Sequence, residues 1–276
     1  MHSLSYATWV ILSLPLILAT SFLPPQHIFS NPSPNTIYNI PSVHESAVLA
    51  RRILNLSSIA TLSTVFPKRN PSFLDQDDFG DVSTWEHPQA VLSTQPSELS
   101  LEGAPVGLMD YYTSCDPKPY EPTILAISIA TSFRNARAGS NISMSLRWQP
   151  PSSAPPSDDV YTYSPANMPR FSLIGYVEPI PGKDVEEGNV EGCFLQRHSD
   201  AEAWLPGNEI HESWWGRLVV QGVYWIGGFG DRAYIGWIPA QEWRDVTEEE
   251  IREARLVGEE GYKKRRLGTK DGPEAL

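Results

Sequence analysis

The residues of this chain with the most recognisable chemical spacing are Gly228, Gly230 and Ala233, in the stretch VYWIGGFGDRAYIGWIP from Val223 to Pro239. A Gly-x-Gly-x-x-Gly/Ala pattern after an apolar strand is the fingerprint of a dinucleotide site. Its glycines let the pyrophosphate approach, and a helix starting there turns its N-terminal N–H groups toward the phosphates. Here the glycines are followed by aromatic and β-branched residues and then by Pro239, which leaves no room for a helix of several turns. The stretch reads instead as two strands joined by a turn whose glycines supply positive φ. A doubly wound nucleotide site is ruled out.

Other chemistry-bearing residues are sparse. Cys115 and Cys193 are the only cysteines. An oxidising lumen would join them and a reducing compartment would leave two buried thiols, and both readings stay open here. Asn55-Leu-Ser57 and Asn141-Ile-Ser143 are acceptor sequons for N-glycosylation. His44, His198 and His211 stand apart from one another, and His211-Glu-Ser-Trp-Trp lacks the second histidine of a zinc-protease helix. No Ser-His-Asp or Cys-His arrangement has supporting context. The expectation is therefore no catalytic residue and no metal ligand.

Bulk properties narrow the classes further. With 276 residues, 41% of them hydrophobic, and 9 tryptophans, the chain can bury a sizeable core. Its net charge of −12 argues against nucleic acid as a partner, and the basic block Lys263–Arg266 reads as a solvated tail. Residues 7–19 (ATWVILSLPLILA) form an apolar run of signal-peptide length, interrupted by Pro15, with small residues Ala19 and Ser21 suited to cleavage after 21. A signal anchor is the alternative. The expected destination is the extracellular space or a vacuolar or lysosomal lumen, with no stable membrane anchor after cleavage.

The elements that must position any site follow from periodicity. Residues 22–41 are a proline-rich leader. Ser42-Val-His-Glu45 is a capping box opening a helix through about Leu56, with Val43, Ala47, Ala50 and Leu54 on one face. Strands are expected over Ser58–Phe66, Pro105–Tyr112, Thr123–Thr131, Ile142–Trp148 and Arg170–Ile180, with a closing hairpin after residue 214. Polar inserts at 67–103 and 149–169 interrupt them. SFRNARAGSN before the fourth strand reads as a short helix or turn. A helix ends near Leu205, and Thr247-Glu-Glu-Glu250 starts a last short helix, with fraying from 258. The order argues for a mainly β, six-stranded antiparallel barrel with flanking helices: one domain over 42–246, followed by a helix and disordered tail over 247–276.

From Cys193 to Trp243 the chain resembles the C-terminal half of the CREG-like secreted glycoproteins. Phe194, Arg197-His198, Trp204, Trp214/Trp215, Leu218, Tyr224-Trp225, Phe229-Gly230, Ile238-Pro239 and Trp243 stand where that family places its helix, aromatic strands and hairpin. Residues 44–66 (HESAVLARRILNLSSIATLSTVF) resemble the family's opening helix and strand. The resemblance spans about residues 42–246; Ser199 departs from it, since proline is usual there.

The resemblance implies an FMN-binding split barrel of the pyridoxamine-phosphate oxidase type, secreted or endolysosomal, glycosylated and often a homodimer. Demonstrated flavin chemistry is generally absent from such members. It also says where to seek a flavin phosphate, which wants cations and hydroxyl donors. Ser63 on the first strand, with Ser132, Arg134 and Arg137 before the fourth, form half of such a cradle, and the strand Ser58–Phe66 offers no Lys or Arg. The expectation is a vestigial or occluded FMN pocket and a non-catalytic role in binding or signalling, with a protein or glycan partner. An FMN-dependent oxidoreductase is the alternative, and a haem ligand a remote third. The tryptophans clustered between Trp204 and Trp243 are expected in the core and at a dimer face.

Overall fold

The computed structural model describes residues 40–67 and 101–259, apart from 153, 155, 156, 159–161, 209 and 231. The leader up to 39, the body of the first insert (68–100) and the tail from 260, with its basic block, lie outside the described residues.

The chain opens with α1 (Val43–Leu56), and its capping box forms as the sequence requires: Ser42 Oγ accepts from the Glu45 N–H, and the Glu45 carboxylate accepts from the Ser42 N–H. The buried stripe is Ala47, Ala50, Ile53 and Leu54. Seven strands follow rather than six: β1 (Ile59–Val65), β2 (Pro105–Tyr111), β3 (Thr123–Ile127), β4 (Ile142–Arg147), β5 (Arg170–Pro179), β6 (Ser213–Ile226) and β7 (Ile235–Pro239). All pairings are antiparallel, in the order β2-β1-β4-β5-β6-β3, with β7 also on β6. The seventh is β7, the second strand of the expected closing hairpin, which shares an edge of β6 with β3. β6 has 14 residues, of which Gly216–Ile226 pair with β5 along one edge, while β3 takes Ser213–Arg217 and β7 takes Gly222–Ile226 on the other.

The sheet is not a closed barrel. Its end strands, β2 and β3, meet only just beyond β2, where Thr113 and Thr123 exchange two backbone hydrogen bonds as an isolated bridge. The first insert leaves and rejoins at one point, because Phe66 bonds to Ala104 and Gly103 across its base. The Gly228–Ala233 match is the β6–β7 turn: Gly227 N–H donates to Tyr234 O, Gly228 has φ +144, and no helix starts there.

Register explains the core. Leu62, Met144, Leu173, Val223 and Ile238 are consecutive cross-strand partners on β1, β4, β5, β6 and β7, and each is 1% exposed or less. The stripe of α1 packs into the same core with Phe171, Trp225 and Trp243. At roughly 25 cal/mol per Å² of apolar surface, each of these side chains contributes about 1.5–3 kcal/mol. A bulge at Gly175 keeps β5 in step with the long β6; a side chain there would collide with the Val219 carbonyl.

Short helices complete the molecule. α2 (Thr131–Arg137) caps the sheet near β1, and α3 (Gly182–Glu187) and α4 (Val190–Arg197) precede a 3₁₀ turn (Ser199–Trp204). α5 (Ala240–Asp245) and α6 (Glu248–Glu253) lie against α1, and the last begins with the expected Thr247–Glu250 capping box. α3 and α5 were not evident from periodicity, as each is 6 residues long. The expected fraying from 258 is corrected: Glu259 is 1% exposed and pairs with Arg52, which also bonds Ile251 O, so the chain stays packed through 259.

Cys115 and Cys193 are joined in a disulfide that pins the loop after β2 onto α4, over a second small core of Leu125, Ile180, Val190, Phe194 and Trp215. The bridge closes a loop of 78 residues, so the Cys115→Ser/Cys193→Ser variant is expected to lose about 4.5 kcal/mol of unfolding free energy. Urea denaturation of both proteins measures it, and a loss below about 1 kcal/mol would show that the loop is held by its other contacts.

Candidate functional site

The four residues expected to cradle a phosphate are placed by β1 and α2, and the pleat separates them. Along β1 the side chains of Ala60, Leu62 and Thr64 turn inward. Thr64 Oγ1 accepts from Asn135 Nδ2 at 3.0 Å, which ties α2 to that inner face. Ser63 therefore faces outward, beside Gly107 of β2 and opposite Ser143 of β4. Ser132 is buried next to Phe133, whose ring stands edge-on to Trp214. Arg134 and Arg137 are exposed on α2, and Arg137 Nη2 donates to Ser128 Oγ at 3.2 Å. The structure thus brings Ser132, Arg134 and Arg137 onto one short helix but leaves Ser63 on the other side of the sheet. One phosphate could not touch both serines.

The sequons differ in setting. Asn141 is exposed in the turn before β4. Asn55 sits half-buried in the last turn of α1, where its Oδ1 accepts from Ser114 and its carbonyl from Arg197. The histidines are engaged singly. His44 bonds Glu242 and Glu250, which clasps α1 to α5 and α6. His198 is buried, stacked on Tyr111 at 4.3 Å between ring centroids, and its Nε2 donates to the Tyr112 carbonyl. Among the described residues no three of His, Cys, Asp and Glu gather as a metal site.

The densest charge cluster was not foreseen. Arg217 is 3% exposed, placed by β6 opposite Thr123 and Glu178. Its guanidinium reaches Asp116 at 3.2 Å, Asp184 at 3.3 Å, Glu178 at 3.6 Å and Glu121 at 3.9 Å. Lys118 adds a second cation, 3.8 Å from Glu121. Asp116 Oδ2, Glu121 Oε2 and Arg217 Nε are buried without a hydrogen-bond partner. Burial is the largest influence on Asp116 and Glu121 and raises both above the ordinary carboxylate range, outweighing the pull of Arg217 and Lys118. This arrangement can take up a proton and lock the disulfide loop to α3 and β6. The signal for it was the run Cys-Asp-Pro-Lys-Pro-Tyr-Glu-Pro at 115–122, too charged for a strand and too rigid for a free loop.

The sequence matches the family described as CREG, beta-barrel, over residues 41–245. No curated protein matches the chain. Among solved structures it is similar to a heme binding protein from Mycobacterium smegmatis at 17% identity and a TM-score of 0.46, over 75% of this chain and 61% of that one. It is also similar to the heme storage protein HutZ from Vibrio cholerae, at 11% identity and a TM-score of 0.37, over 64% of this chain and 90% of that one. A third, the FAD and heme binding protein from Mycobacterium smegmatis, shows 13% identity and a TM-score of 0.34, over 80% and 81% of the two chains.

Protonation couples these groups to stability. Asp110, half-buried at the end of β2, is pushed up to about 6 by burial. A carboxyl raised in the folded state contributes stability that is complete below its unfolded value and lost as pH rises through the folded one, and Asp110, Asp116 and Glu121 all act in this sense. His44, raised chiefly by its hydrogen bond to Glu250, acts in the same direction. Glu250, lowered to about 2 by the Thr247 backbone, and Glu45, lowered by Ser42, act oppositely: their contribution is present above the ordinary glutamate value and lost as pH falls through the folded one. The melting temperature should therefore rise on acidification from neutrality toward pH ~5 and fall again in stronger acid. In the Asp110→Asn/Glu121→Gln variant the rise should be markedly smaller in differential scanning calorimetry; an unchanged slope would assign it to other groups.

Proposed function

Since this chain belongs to the CREG β-barrel family, we propose that it is a secreted, glycosylated split-barrel protein that acts by binding and not by catalysis, its flavin pocket vestigial. In this reading the ring β2-β1-β4-β5-β6-β3 is the six-stranded barrel, the Thr113–Thr123 bridge is its seam, and β7 extends β6 beside it. The observation that carries the reading is the separation of Ser63 from Ser132 by the pleat of β1, on a strand without a single cation. A phosphomonoester of about −2 charge needs its donors on one side, so the residues present do not fit FMN. The disulfide and the open Asn141 support passage through an oxidising, glycosylating compartment, on the way to the extracellular space or a vacuolar or lysosomal lumen.

A homodimer belongs to this proposal. On the outer face two cross-strand rows run over six strands without a charge, in a chain of net charge −12. One is Met109, Thr61, Ser145, Ser172, Tyr224 and Trp237; the other is Gly107, Ser63, Ser143, Ile174, Gly222 and Pro239. Its two ends are exposed apolar side chains, Met109 at 79% and Trp237 at 44%. Light scattering on deglycosylated protein should give twice the chain mass, and Ser145→Arg, set in the middle of the first row, should give the monomer. A wild-type monomer would end the dimer reading.

The cofactor question has its own measurement. Purified protein incubated with FMN or haem and then desalted is expected to show no stoichiometric visible band. A flavin band that disappears in the Arg134→Ala/Arg137→Ala variant would reverse the proposal in favour of an FMN-dependent oxidoreductase.

A further inference from the structure

The connection between β4 and β5 assembles a feature that neither the barrel nor the α2 region explains. Arg147 ends β4 and Arg170 begins β5, and the register sets them directly opposite each other. Opposed residues on antiparallel strands have Cβ atoms about 4.5–5.5 Å apart, so the two like charges repel. Arg147 Nη2 donates only to Gln149 Oε1 at 3.5 Å and Arg170 Nη1 only to the Ala166 carbonyl at 3.3 Å, and among the described residues neither forms an ion pair. Elsewhere this acidic chain does pair arginines that cross between elements: Arg52 with Glu259, Arg51 with Glu248 and Arg217 with Asp116.

Arg147 also lines an open groove of about 420 Å³ built by described residues between Trp148 and Met168; Arg170 does not line it but is the cross-strand neighbour of Arg147 at its edge. That volume is within the roughly 300–1,000 Å³ of small-molecule sites. Its floor is Trp148 and Met168, each 3% exposed and part of the main core. Pro150, Pro151 and Pro165 form its walls. The floor is fixed, because Trp148 Nε1 donates to the Val257 carbonyl at 2.7 Å. Gly258, with φ +77, packs against the wall so closely that a side chain there would meet Pro150 and Tyr163 at 2.9 Å.

We infer that this groove binds a small organic anion, its carboxylate, sulfate or phosphate group held by Arg147 and Arg170 and its flat apolar body resting on the Trp148–Met168 floor. The guanidinium pair offers several N–H donors in the geometry that oxyanions accept, and an anion between them removes their mutual repulsion. The site is independent of the flavin question. It stands at the far end of β4 from α2, roughly 17–20 Å away at about 3.4 Å per residue.

The test uses the intact protein and the fluorescent probe 8-anilinonaphthalene-1-sulfonate, with uncharged N-phenyl-1-naphthylamine as its counterpart. Saturable one-to-one binding of the sulfonate is expected, competed by inorganic sulfate and weakened by salt. Arg147→Gln/Arg170→Gln should weaken it at least tenfold and remove the salt dependence, while the uncharged probe changes less than twofold. Single Arg147→Gln, exposed and outside the core, should give an intermediate loss if the double variant does not fold. Equal sulfonate affinity in wild type and variant, parallel losses for both probes, or no saturable binding to wild type would each overturn the inference.

Discussion

The rest of the structure depends on β6 holding partners along both of its edges. A 14-residue strand can bond β5 from Gly216 to Ile226 and still divide its other edge between β3 and β7. That division fixes the register of the sheet, and register fixes which side chains are inside, since a slip of one residue would reverse every face. The inner row from Leu62 to Ile238 is the result: five aliphatic side chains from five strands in line, with α1 and Trp243 laid over them. Arg51 shows how strongly the core is committed. Its guanidinium is nearly sealed beneath Trp243, kept by the Trp243 and Pro119 carbonyls, and burial lowers it to about 10.

The same register sends ionic chemistry to the ends of strands. Residues that alternate with the inner row form the uncharged outer rows, so the middle of the sheet offers hydroxyls, glycines and aromatic rings. Charges collect where strands stop. Arg147 and Arg170 stand at one end of the β4–β5 pair, and Glu178 faces Arg217 at the far end of β5. Ser63 points to the outer face of β1 while Ser132 sits on α2, which Asn135 ties to the inner face through Thr64, so the two do not meet.

Much of this was legible because it is periodic. The Ser42 and Thr247 capping boxes, the alternation over Ala60–Thr64, and the proline that denies a helix after Gly230 are local rules, and the structure obeys them. The path of the sheet was not legible: five strands and a closing hairpin can be read from the sequence, but not that β6 divides one edge between β3 and β7. Helices of 6 residues leave no period to detect. The Arg217 cluster joins Asp116, Glu121, Glu178 and Asp184 from three segments, and no spacing announces a contact between residue 116 and residue 217. Arg147 and Arg170 are separated by the whole insert, and only the β4–β5 register makes them neighbours.

The two cores are held by different forces, and this gives the molecule a region whose stability follows its surroundings. The main core rests on apolar area, which neither redox state nor pH alters. The loop from Thr113 to Pro122 has little apolar surface to contribute: three prolines stiffen it, and Cys115, Asp116 and Glu121 attach it. Beside the bonds that Arg51, Trp243 and Leu218 make to the Pro119, Tyr120 and Pro122 carbonyls, its attachments are thus a disulfide that a reducing medium opens and a carboxylate cluster whose burial favours the protonated form. Removing Arg217 from that cluster would leave buried carboxylates facing one another with only Lys118 near, a far larger penalty than the net worth of the pairing itself. Because the isolated Thr113–Thr123 bridge begins in this same loop and ends on β3, oxidation and proton uptake bear on the contact between β3 and the end of β2 and not only on a surface segment.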